Sequence, residues 1–470
     1  MLKLRHLTIK LLGENMPLEV KPRKHILLWC SPGFGLVDIW LPVIKKLKEK
    51  DNIKIDFVFP EPSSMRLESK NSDLFNLAEQ FADDVIYRGY SNRWFIASTL
   101  IEARNAITFS KFDAKMMLLS VRLTSGKMSK YFVLKLIGKY ILIISKYFIR
   151  TKENFGKQSQ YDFGLLSSVN GILSDIVKEG KFVNKELRNE LKNIQKFSMF
   201  HGMAALWVEP CLNCKQSITK RSDVTVYSMS HIEEHGYQKC FGILGKNIVH
   251  AGIPRHDNDW IEFICSQSYS NKASKVFDSF VFIIGRAASP YNTIERKKKA
   301  LKDIYDIICI KHKLKLVVKS HPKESLDGID GDIYTEALGL ENYGKTWMYS
   351  DTHPFILGKK AIFSISFYSG IVLDMLAINK PTIEYLNLSD LPSYDNSDSL
   401  RDGDGEPVFQ YRYTNLVLGA SSKIELSQHT DSILNQYKPT VLSLISRYKE
   451  YYKPLEGSSE MVANDIYNKL

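Results

Sequence analysis

Short apolar runs alternate with amphipathic segments along most of the sequence, and this alternation constrains the fold more than any other feature. Near the start, HILLWC (residues 25–30) precedes the turn SPGFG, an amphipathic segment from Val37 to Lys48, and the run IKIDFVF (53–59). Apolar runs of this length are typical of buried strands, and the helical pattern between them is typical of a crossover helix. The pattern predicts strand, helix, strand units of a parallel sheet.

The same alternation resumes in the second half of the chain. The predicted strands there lie within FDSFVFIIGRAAS (277–289), KLKLVVKSHP (313–322), KAIFSIS (360–366) and PTIEYLN (381–387). Because 470 residues are too many for one core, we predict an α/β protein of two doubly wound, Rossmann-like domains. We expect residues 1–270 to form the N-terminal domain and residues 271–470 the C-terminal domain, which ends in closing helices from about Ser422.

Residues 114–152 interrupt this alternation. The stretch contains nine Lys and Arg residues and neither Asp nor Glu, and its apolar residues are interrupted by Lys every few positions. Such a segment is poorly suited to span a bilayer. One interpretation is a basic helical insert, at about residues 110–160, that lies on an anionic membrane surface. The other is a buried helix pair whose lysines form a solvated face.

The whole chain is basic, with a formal net charge of +12. This excess fits an anionic partner such as a nucleotide, a polyanionic glycan, nucleic acid or anionic lipid, although a lysine-rich genome would produce it as well. Hydrophobic residues make up 44% of the chain, a fraction that argues against wholesale disorder.

The cysteines and the N-terminus bear on location and on metal binding. Six scattered cysteines do not form a disulfide framework, and the first residues, MLKLRHLTIKLLGENM, lack the long apolar core and cleavage site of a secretory signal. We therefore expect a cytoplasmic protein that the basic insert could hold on the inner face of the membrane. Only Cys211 and Cys214 have metal-ligand spacing, and no second pair follows, so neither a metal ion nor a cofactor is predicted.

Candidate binding residues follow the predicted strands. The strand KLKLVVKSHP ends with Lys319 and His321, and open α/β sheets bind ligands at this carboxyl edge. A histidine there can donate a hydrogen bond to a diphosphate oxygen and, when protonated, offset charge on a nucleotide leaving group. The alternative is that the His321-Pro322 dipeptide is part of a loop and binds no ligand.

A second cluster lies between a predicted strand and a predicted helix. Ser366, Ser369 and Gly370 precede the helix, where backbone N–H groups and small side chains suit a phosphate. Asp374, one turn into the helix, can accept hydrogen bonds from ribose or glycosyl hydroxyls. The alternative is an ordinary capped helix start.

Three further positions complete the candidate set. Gly285 and Arg286 follow a predicted strand, where an arginine can bind phosphate through two hydrogen bonds or simply lie in a surface turn. In the first half, His201 of FHGM is a candidate general base, with a packed loop histidine as the alternative. Asp38, which follows the glycine turn SPGFG, is the candidate base if His201 only orients the acceptor.

Several short motifs occur in an order that resembles a known group of enzymes. They are FHGM (200–203), GIPRHD (252–257), IIGRAAS (283–289), KSHP (319–322) and SFYSGIVLDMLAINKPTIEY (366–385). The set resembles the bacterial CDP-glycerol glycerophosphotransferases and capsule polysaccharide transferases. It is also similar to the non-hydrolysing UDP-N-acetylglucosamine 2-epimerases, which share the GT-B fold of two facing Rossmann-like domains. The resemblance covers roughly residues 195–390.

The resemblance implies roles for individual residues. It makes His201 the catalytic base, His321 the diphosphate contact, and Ser366, Ser369 and Asp374 the donor-binding cluster. It also makes GIPRHD the last strand and turn of the N-terminal domain.

Two positions depart from the glycerophosphotransferase pattern. Phe367 stands where those enzymes tend to have an acid, and Gly370 replaces a second serine. A glycosyl donor is therefore favoured over a glycerol phosphate donor.

The expected function is that of a metal-independent, inverting glycosyltransferase of surface or capsule polysaccharide synthesis. A sugar activated by CMP, CDP or UDP would bind the C-terminal domain, and a glycan or lipid-linked acceptor the N-terminal domain, with no nucleic-acid partner. Alternatives on the same fold are a polyol-phosphate transferase of the CDP-glycerol type and a UDP-sugar 2-epimerase. A non-catalytic nucleic-acid or glycan-binding protein would explain the basic charge but not the ordered strand-end motifs.

Overall fold

The protein is described from a computed structural model. The described residues are 23–29, 34–59, 72–87, 119, 123, 131–134, 136–138, 140–141, 169–175, 194–200, 220–267, 277–289, 291–321, 324, 326, 328–389 and 400–470.

The first half of the chain forms a parallel sheet of seven described strands. In chain order they are β1 (Lys24–Trp29), β2 (Ile53–Phe59), β3 (Asp84–Tyr87), β4 (Gly171–Ser174), β5 (Gln195–Ser198), β6 (Val224–Ser228) and β7 (Ile248–His250). Their spatial order is β3-β2-β1-β4-β5-β6-β7, and every pairing is parallel. This is the order of a doubly wound Rossmann-like sheet.

The described helices of this half follow their strands. They are α1 (Phe34–Lys48), α2 (Ser72–Phe81), α3 (Glu234–Phe241) and α4 (Asn258–Ser266), with short 3₁₀ turns at His231–Glu233, Gly245–Asn247 and Pro254–His256. Most of α1 is buried, including Trp40 and Leu41, because it is covered both by the sheet and by the last helix of the chain.

The second half forms a parallel sheet of six described strands. They are β8 (Phe280–Ile284), β9 (Leu316–Lys319), β10 (Trp347–Tyr349), β11 (Ala361–Ser366), β12 (Thr382–Tyr385) and β13 (Leu418–Ala420). Their spatial order is β10-β9-β8-β11-β12-β13. All five residues of β8 are buried, as expected for a central strand with helices on both faces.

The described helices of the second half complete the two outer layers. They are α5 (Ile294–Tyr305), which continues into a π turn (Asp306–Lys311), α6 (Ile329–Leu338), α7 (Pro354–Lys360), α8 (Ile371–Ala377), α9 (Gln410–Tyr413), α10 (Lys423–Asn435), α11 (Tyr437–Tyr451) and α12 (Ser458–Lys469). Ser422 caps α10 in a capping box with Glu425, which explains why the helix begins there.

The two halves share one apolar core. A single cluster of buried side chains joins Trp40 of α1 and Trp260 of α4 to Phe355 of α7 and Leu373 of α8. A second cluster fills the other face of the second sheet, under α5, α6 and α10. The predicted fold class of two Rossmann-like units is therefore confirmed.

The last helix returns to the first half. In α12, Asp465 accepts a hydrogen bond from Tyr227 of β6 at 2.7 Å, and the Tyr467 carbonyl accepts one from Lys24 of β1 at 2.6 Å. The closing helices thus do not all pack on the second half, although the expected division near residue 270 stays a prediction.

The crossover between the halves is tightly packed around Gly252. This glycine has φ +70°, and a Cβ atom there would lie 2.2 Å from the carbonyl oxygen of Pro454. Both the left-handed backbone and the close approach of a second chain segment require glycine.

Some predicted features differ in the structure or lie outside the described residues. Strand β5 spans only Gln195–Ser198, and its polar first half, Gln195 and Lys196, hides it in the sequence. Cys240 is disulfide-bonded, which the sequence analysis does not anticipate, while Cys265 and Cys309 carry free thiols.

Most of the expected basic insert is not among the described residues. Where it is described, residues 132–134, 136–138 and 140–141 are helical. Within the part of the chain that the structure describes, no helix combines the length and apolar character needed to cross a bilayer.

Candidate functional site

The strand order of the second sheet reverses between β8 and β11, and the space outside the carboxyl ends of these strands is called the crevice. Strand β8 lies between β9 and β11, so the loops that follow β8 and β11 leave the sheet in opposite directions. Open α/β sheets bind ligands at such a switch point, outside the carboxyl ends of the strands. Gly285 and Arg286 follow β8 on one side of the crevice, and residues 367–370 follow β11 on the other.

Arg286 spans this crevice. Its Nη2 donates a hydrogen bond to the Tyr291 hydroxyl at 2.6 Å, and its Nη1 donates a longer one to the Tyr368 carbonyl at 3.4 Å. The guanidinium carbon lies 5.2 Å from the centre of the Tyr368 ring, within cation–π range. These contacts hold a partly exposed positive charge in a defined orientation at the strand ends.

Tyr368 itself is held in a strained backbone conformation. Its φ is +86°, which is uncommon for a residue other than glycine. Its ring stacks on Phe409 with the centroids 3.9 Å apart, its hydroxyl hydrogen-bonds Gln410, and its N–H donates to Ser366 Oγ at 3.1 Å. Burial raises the pKa of Tyr368 well above its usual range, so its phenol is neutral. Backbone strain maintained by this many contacts is typical of a functional site.

A buried carboxylate, that of Glu324, fixes the turn after β9. Glu324 accepts a hydrogen bond from the His321 N–H at 2.5 Å and from the Tyr334 hydroxyl at 3.0 Å, and it forms an ion pair with Lys297. The side chains of Lys297 and Glu324 are completely buried. The backbone of His321 is therefore held to the interior by a charge-assisted network.

The same carboxylate explains why residue 285 is a glycine. A Cβ atom at this position would lie 2.7 Å from Glu324 Oε2 and 2.7 Å from the Tyr334 hydroxyl. The Gly285 N–H donates to the Lys319 carbonyl at 2.9 Å, and Lys319 Nζ donates to the Asp351 carbonyl at 2.7 Å. The ends of β8 and β9 are thus held together by a hydrogen bond, and Glu324 and Tyr334 leave space only for a glycine at position 285.

The structure brings most of the predicted donor residues to one edge. The ends of β8, β9 and β11 carry Gly285, Arg286, Lys319, His321, Ser366, Ser369 and Gly370. Ser366 is buried and Ser369 is half-buried, and the Ser369 hydroxyl accepts a hydrogen bond from the Ile371 N–H at 3.3 Å. Their predicted contact with a donor stays a prediction.

Asp374, in the first turn of α8, belongs to a buried network between the two halves. Arg255, in the 3₁₀ turn after β7, contacts Asp374 of α8 with Nη2 and Asp38 of α1 with Nη1, each at 2.5 Å. Arg255 and both carboxylates are at least nine-tenths buried. One guanidinium therefore bridges a helix of the first half and a helix of the second.

His256 and Asp257 extend this network to the C-terminal helices. His256 Nε2 lies 2.8 Å from Asp374 Oδ1, and its Nδ1 lies 2.6 Å from the Tyr448 hydroxyl of α11. Burial lowers the pKa of His256, so the neutral ring donates to the carboxylate and accepts from the hydroxyl. Asp257 accepts the Ser458 and Ser459 N–H groups at 3.0 and 2.8 Å and thereby caps α12.

The environment of Asp38 makes it a weak base. Burial alone would raise the pKa of its carboxyl, but Arg255 and the His353 imidazole, 3.4 Å away, outweigh that effect and lower the pKa to about 2. A general base works best with a pKa near the operating pH. In this conformation Asp38 is better suited to bind the arginine than to remove a proton.

Not every residue of this region follows from the sequence. His201 lies outside the described residues. No role is predicted for Arg255, His256, Glu324 or Tyr368. The sequence carries a signal for the first three: consecutive charged residues after Pro254 at the crossover, and an acid three residues after His321. Among the described residues, no group of three or more His, Cys, Asp or Glu side chains is placed to hold a metal ion.

Comparisons with known proteins identify the fold. No protein-family model and no curated protein sequence matches the chain. UDP-GlcNAc 2-epimerase from Methanocaldococcus jannaschii is similar in structure with a TM-score of 0.51 and 12% identity, over 95% of this chain and 99% of that chain. S. aureus MnaA in complex with UDP has a TM-score of 0.52 and 12% identity, over 95% and 98%.

A third solved structure is similar at a lower score. The wall teichoic acid polymerase TagF, in its H548A form, has a TM-score of 0.47 and 12% identity, over 96% of this chain and 89% of that chain. The two comparisons with TM-scores above 0.5 show that the chain has the GT-B-like fold of the UDP-GlcNAc 2-epimerases, as the sequence motifs predict.

The Asp38 ion pair predicts a pH-dependent effect on stability. Because the pKa is about 2 in the folded protein and higher when unfolded, the pair stabilises the fold above about pH 4 and less as the pH falls toward 2. Asp38→Asn should therefore lower the free energy of unfolding by about 2 kcal/mol at neutral pH and by less near pH 3. Urea unfolding across this range measures it, with Asp51→Asn at an exposed turn as the control. A deficit that is the same at every pH would contradict this account.

Proposed function

We propose that the chain is a glycosyltransferase that binds a nucleotide-activated sugar in the crevice of its second half. It transfers the sugar to a surface polysaccharide or lipid-linked acceptor bound on the first half. The observation that carries this proposal is the crevice between β8 and β11, where Arg286 spans the strand ends and Tyr368 is held at φ +86°. The positive charge and the preorganised backbone suit a diphosphate.

In this proposal the residues at the strand ends divide the work on the donor. Arg286 and His321 contact the diphosphate and offset the charge that develops on the leaving nucleotide. Ser369 and Gly370 allow close approach of a phosphate to the backbone, and Lys319 adds a second positive charge at the edge of the crevice. Glu324 positions the His321 turn without contacting the donor, since it is completely buried.

The proposed chemistry on the acceptor side is proton removal by His201. Asp38 is disfavoured as the base because its carboxyl has a pKa of about 2 and is bound by Arg255. Direct displacement by the acceptor hydroxyl, without a metal ion, would invert the configuration at the transferred carbon. Asp374 holds α8 in place through Arg255 and His256, so we propose a positioning role for it.

A UDP-sugar 2-epimerase is the second candidate function. It is favoured by the structural similarity to UDP-GlcNAc 2-epimerases, which have TM-scores of 0.51 and 0.52 with this chain. A polyol-phosphate transferase is disfavoured because Phe367 and Gly370 depart from the glycerophosphotransferase pattern. Product analysis separates the candidates, because an epimerase converts the UDP-sugar without an acceptor and a transferase consumes it only with one.

The two histidines should have separable effects. His321→Ala should weaken binding of the cognate nucleotide roughly 10- to 100-fold, as expected for the loss of one charge-assisted hydrogen bond. His201→Ala should lower turnover by about 10²–10⁴-fold and leave nucleotide affinity nearly unchanged, because a base need not touch the donor.

Calorimetric titration with CMP, CDP and UDP, together with single-turnover rates, measures both effects. His312→Ala, directly after the π turn at the far end of α5, is a matched control for loss of an imidazole. Unchanged nucleotide binding and turnover in folded His321→Ala would refute the donor site. Loss of nucleotide binding in His201→Ala would move that residue to the donor side.

We also propose that the basic insert attaches the enzyme to an anionic membrane surface. Its described residues expose large apolar side chains: Tyr131, just before the helical residues, and Phe132, Val133, Leu136, Ile137 and Tyr140 within them have exposed fractions of 44 to 78%. In the sequence, lysines at 130, 135 and 139 lie among them. A helix with exposed aromatic residues and interspersed lysines is typical of interfacial binding, and a lipid-linked acceptor would lie at that surface.

Membrane attachment should depend both on the lysines and on the exposed apolar side chains of the insert. Co-sedimentation should be strong with vesicles that contain anionic lipid, weak with neutral vesicles, and reduced by salt, since each lysine near the surface contributes about 1 kcal/mol. Phe132→Ser should weaken it as well, whereas Leu442→Ser, at an exposed apolar position of α11, should not. Equal binding to neutral and anionic vesicles, or none to either, would contradict the proposal.

A further inference from the structure

A pocket lies beside α5, at the carboxyl ends of β12 and β13. Its volume is 370 Å³, and it is lined by four residues of α5, by Tyr385, Leu386, Asn387 and Ser389, and by Ser421. Tyr385 belongs to the core cluster under α5 and α10, whereas Leu386 belongs, with Tyr368, to the cluster shared by the two halves. Among the described residues that line the pocket, none belongs to the proposed donor site.

The walls of this pocket are held by hydrogen bonds. Four of the lining residues, at positions 296, 299, 300 and 303, occupy one face of α5, since they are three and four residues apart. Arg296 Nη1 donates to the Asn387 carbonyl at 2.8 Å, which ties this helix to the segment after β12. The Asn387 side chain accepts from the Ser389 N–H at 2.9 Å and from its hydroxyl at 2.6 Å. The pocket is thus formed before a ligand arrives.

The charges of the pocket are separated along α5. Arg296 and Lys299 lie toward the start of the helix, and among the described residues no carboxylate lies within ion-pair distance of Lys299. At the other end, Asp303 accepts a hydrogen bond from the Tyr385 hydroxyl at 2.9 Å, and Lys423 Nζ lies 3.6 Å from it. Lys299 provides a positive charge near the start of the helix, while the other end offers a neutralised carboxylate and hydroxyl groups.

We propose that this pocket binds a phosphorylated sugar or polyol. The phosphate would bind Arg296 and Lys299, because a guanidinium and an ammonium together match its charge and its several acceptor oxygens. The hydroxyls of the ligand would face Asp303, Tyr385 and Ser421, and its carbon skeleton would lie on Ala300 and Leu386. The volume is in the range of small-molecule sites. This inference does not depend on the proposed transferase activity.

Titration of the full chain with glucose 1-phosphate and with glycerol 3-phosphate tests the proposal. At least one should bind in a saturable manner, and glucose alone should bind far more weakly. Lys299→Gln should weaken binding by roughly tenfold or more, because it removes a charge from the phosphate end without breaking a described contact. Arg296→Gln should weaken it as well.

Two control variants show whether the sugar phosphate binds in this pocket or in the crevice. Lys302→Gln removes the same charge from an exposed position of α5 that does not line the pocket and should bind like the wild type. His321→Ala should also bind like the wild type, since His321 is on the crevice side. Saturable binding of neither phosphate below about 10 mM, or wild-type affinity in both pocket variants, would overturn the proposal. Loss of binding in His321→Ala alone would place the ligand in the crevice and overturn it too.

Discussion

The two salt bridges of Arg255 are the interaction on which the arrangement of the halves depends. A single buried guanidinium contacts Asp38 of α1 and Asp374 of α8, each at 2.5 Å. Burying these charges costs desolvation free energy, so the network is better regarded as a device that selects one arrangement than as a large net source of stability. If the halves moved apart, Arg255 would lose a carboxylate partner and its buried charge would be only partly compensated. The network therefore favours one relative position of Asp38 and Asp374.

Helix α8 connects the Arg255 network to the crevice. Asp374 holds α8, and the turn that precedes this helix contains Ser369, Gly370 and the strained Tyr368. On the other side of the crevice, Glu324 holds the His321 turn and leaves room only for glycine at position 285. Both walls are thus fixed by buried carboxylates: the partners of Glu324 are near it in the sequence, whereas those of Asp374 are more than 100 residues away. A preformed site of this kind binds a ligand with little loss of conformational entropy.

The sequence predicts the fold well where elements are long and periodic. The helices at 34–48 and 423–435 and the buried run at 280–284 are examples, as is the placement of Arg286 and His321 at strand ends. It does not reveal β4, a four-residue strand at the centre of the first sheet, because so short a run has no distinct period. It assigns Asp374 to the donor because a carboxylate one turn into the helix can accept hydrogen bonds from ribose or glycosyl hydroxyls, and that contact stays a prediction. The structure also pairs Asp374 with Arg255, 119 residues away, and local pattern carries no information about that contact.

The central claim is that the crevice at the ends of β8, β9 and β11 binds the nucleotide. Hydrogen–deuterium exchange of the full chain with and without saturating CMP, CDP or UDP tests it directly, because backbone N–H groups that contact a phosphate exchange more slowly. The account predicts slower exchange at residues 285–289, 319–321 and 367–371 with at least one nucleotide, and little change at residues 296–303. Slower exchange confined to other segments, or no change with any of the three nucleotides, would contradict it.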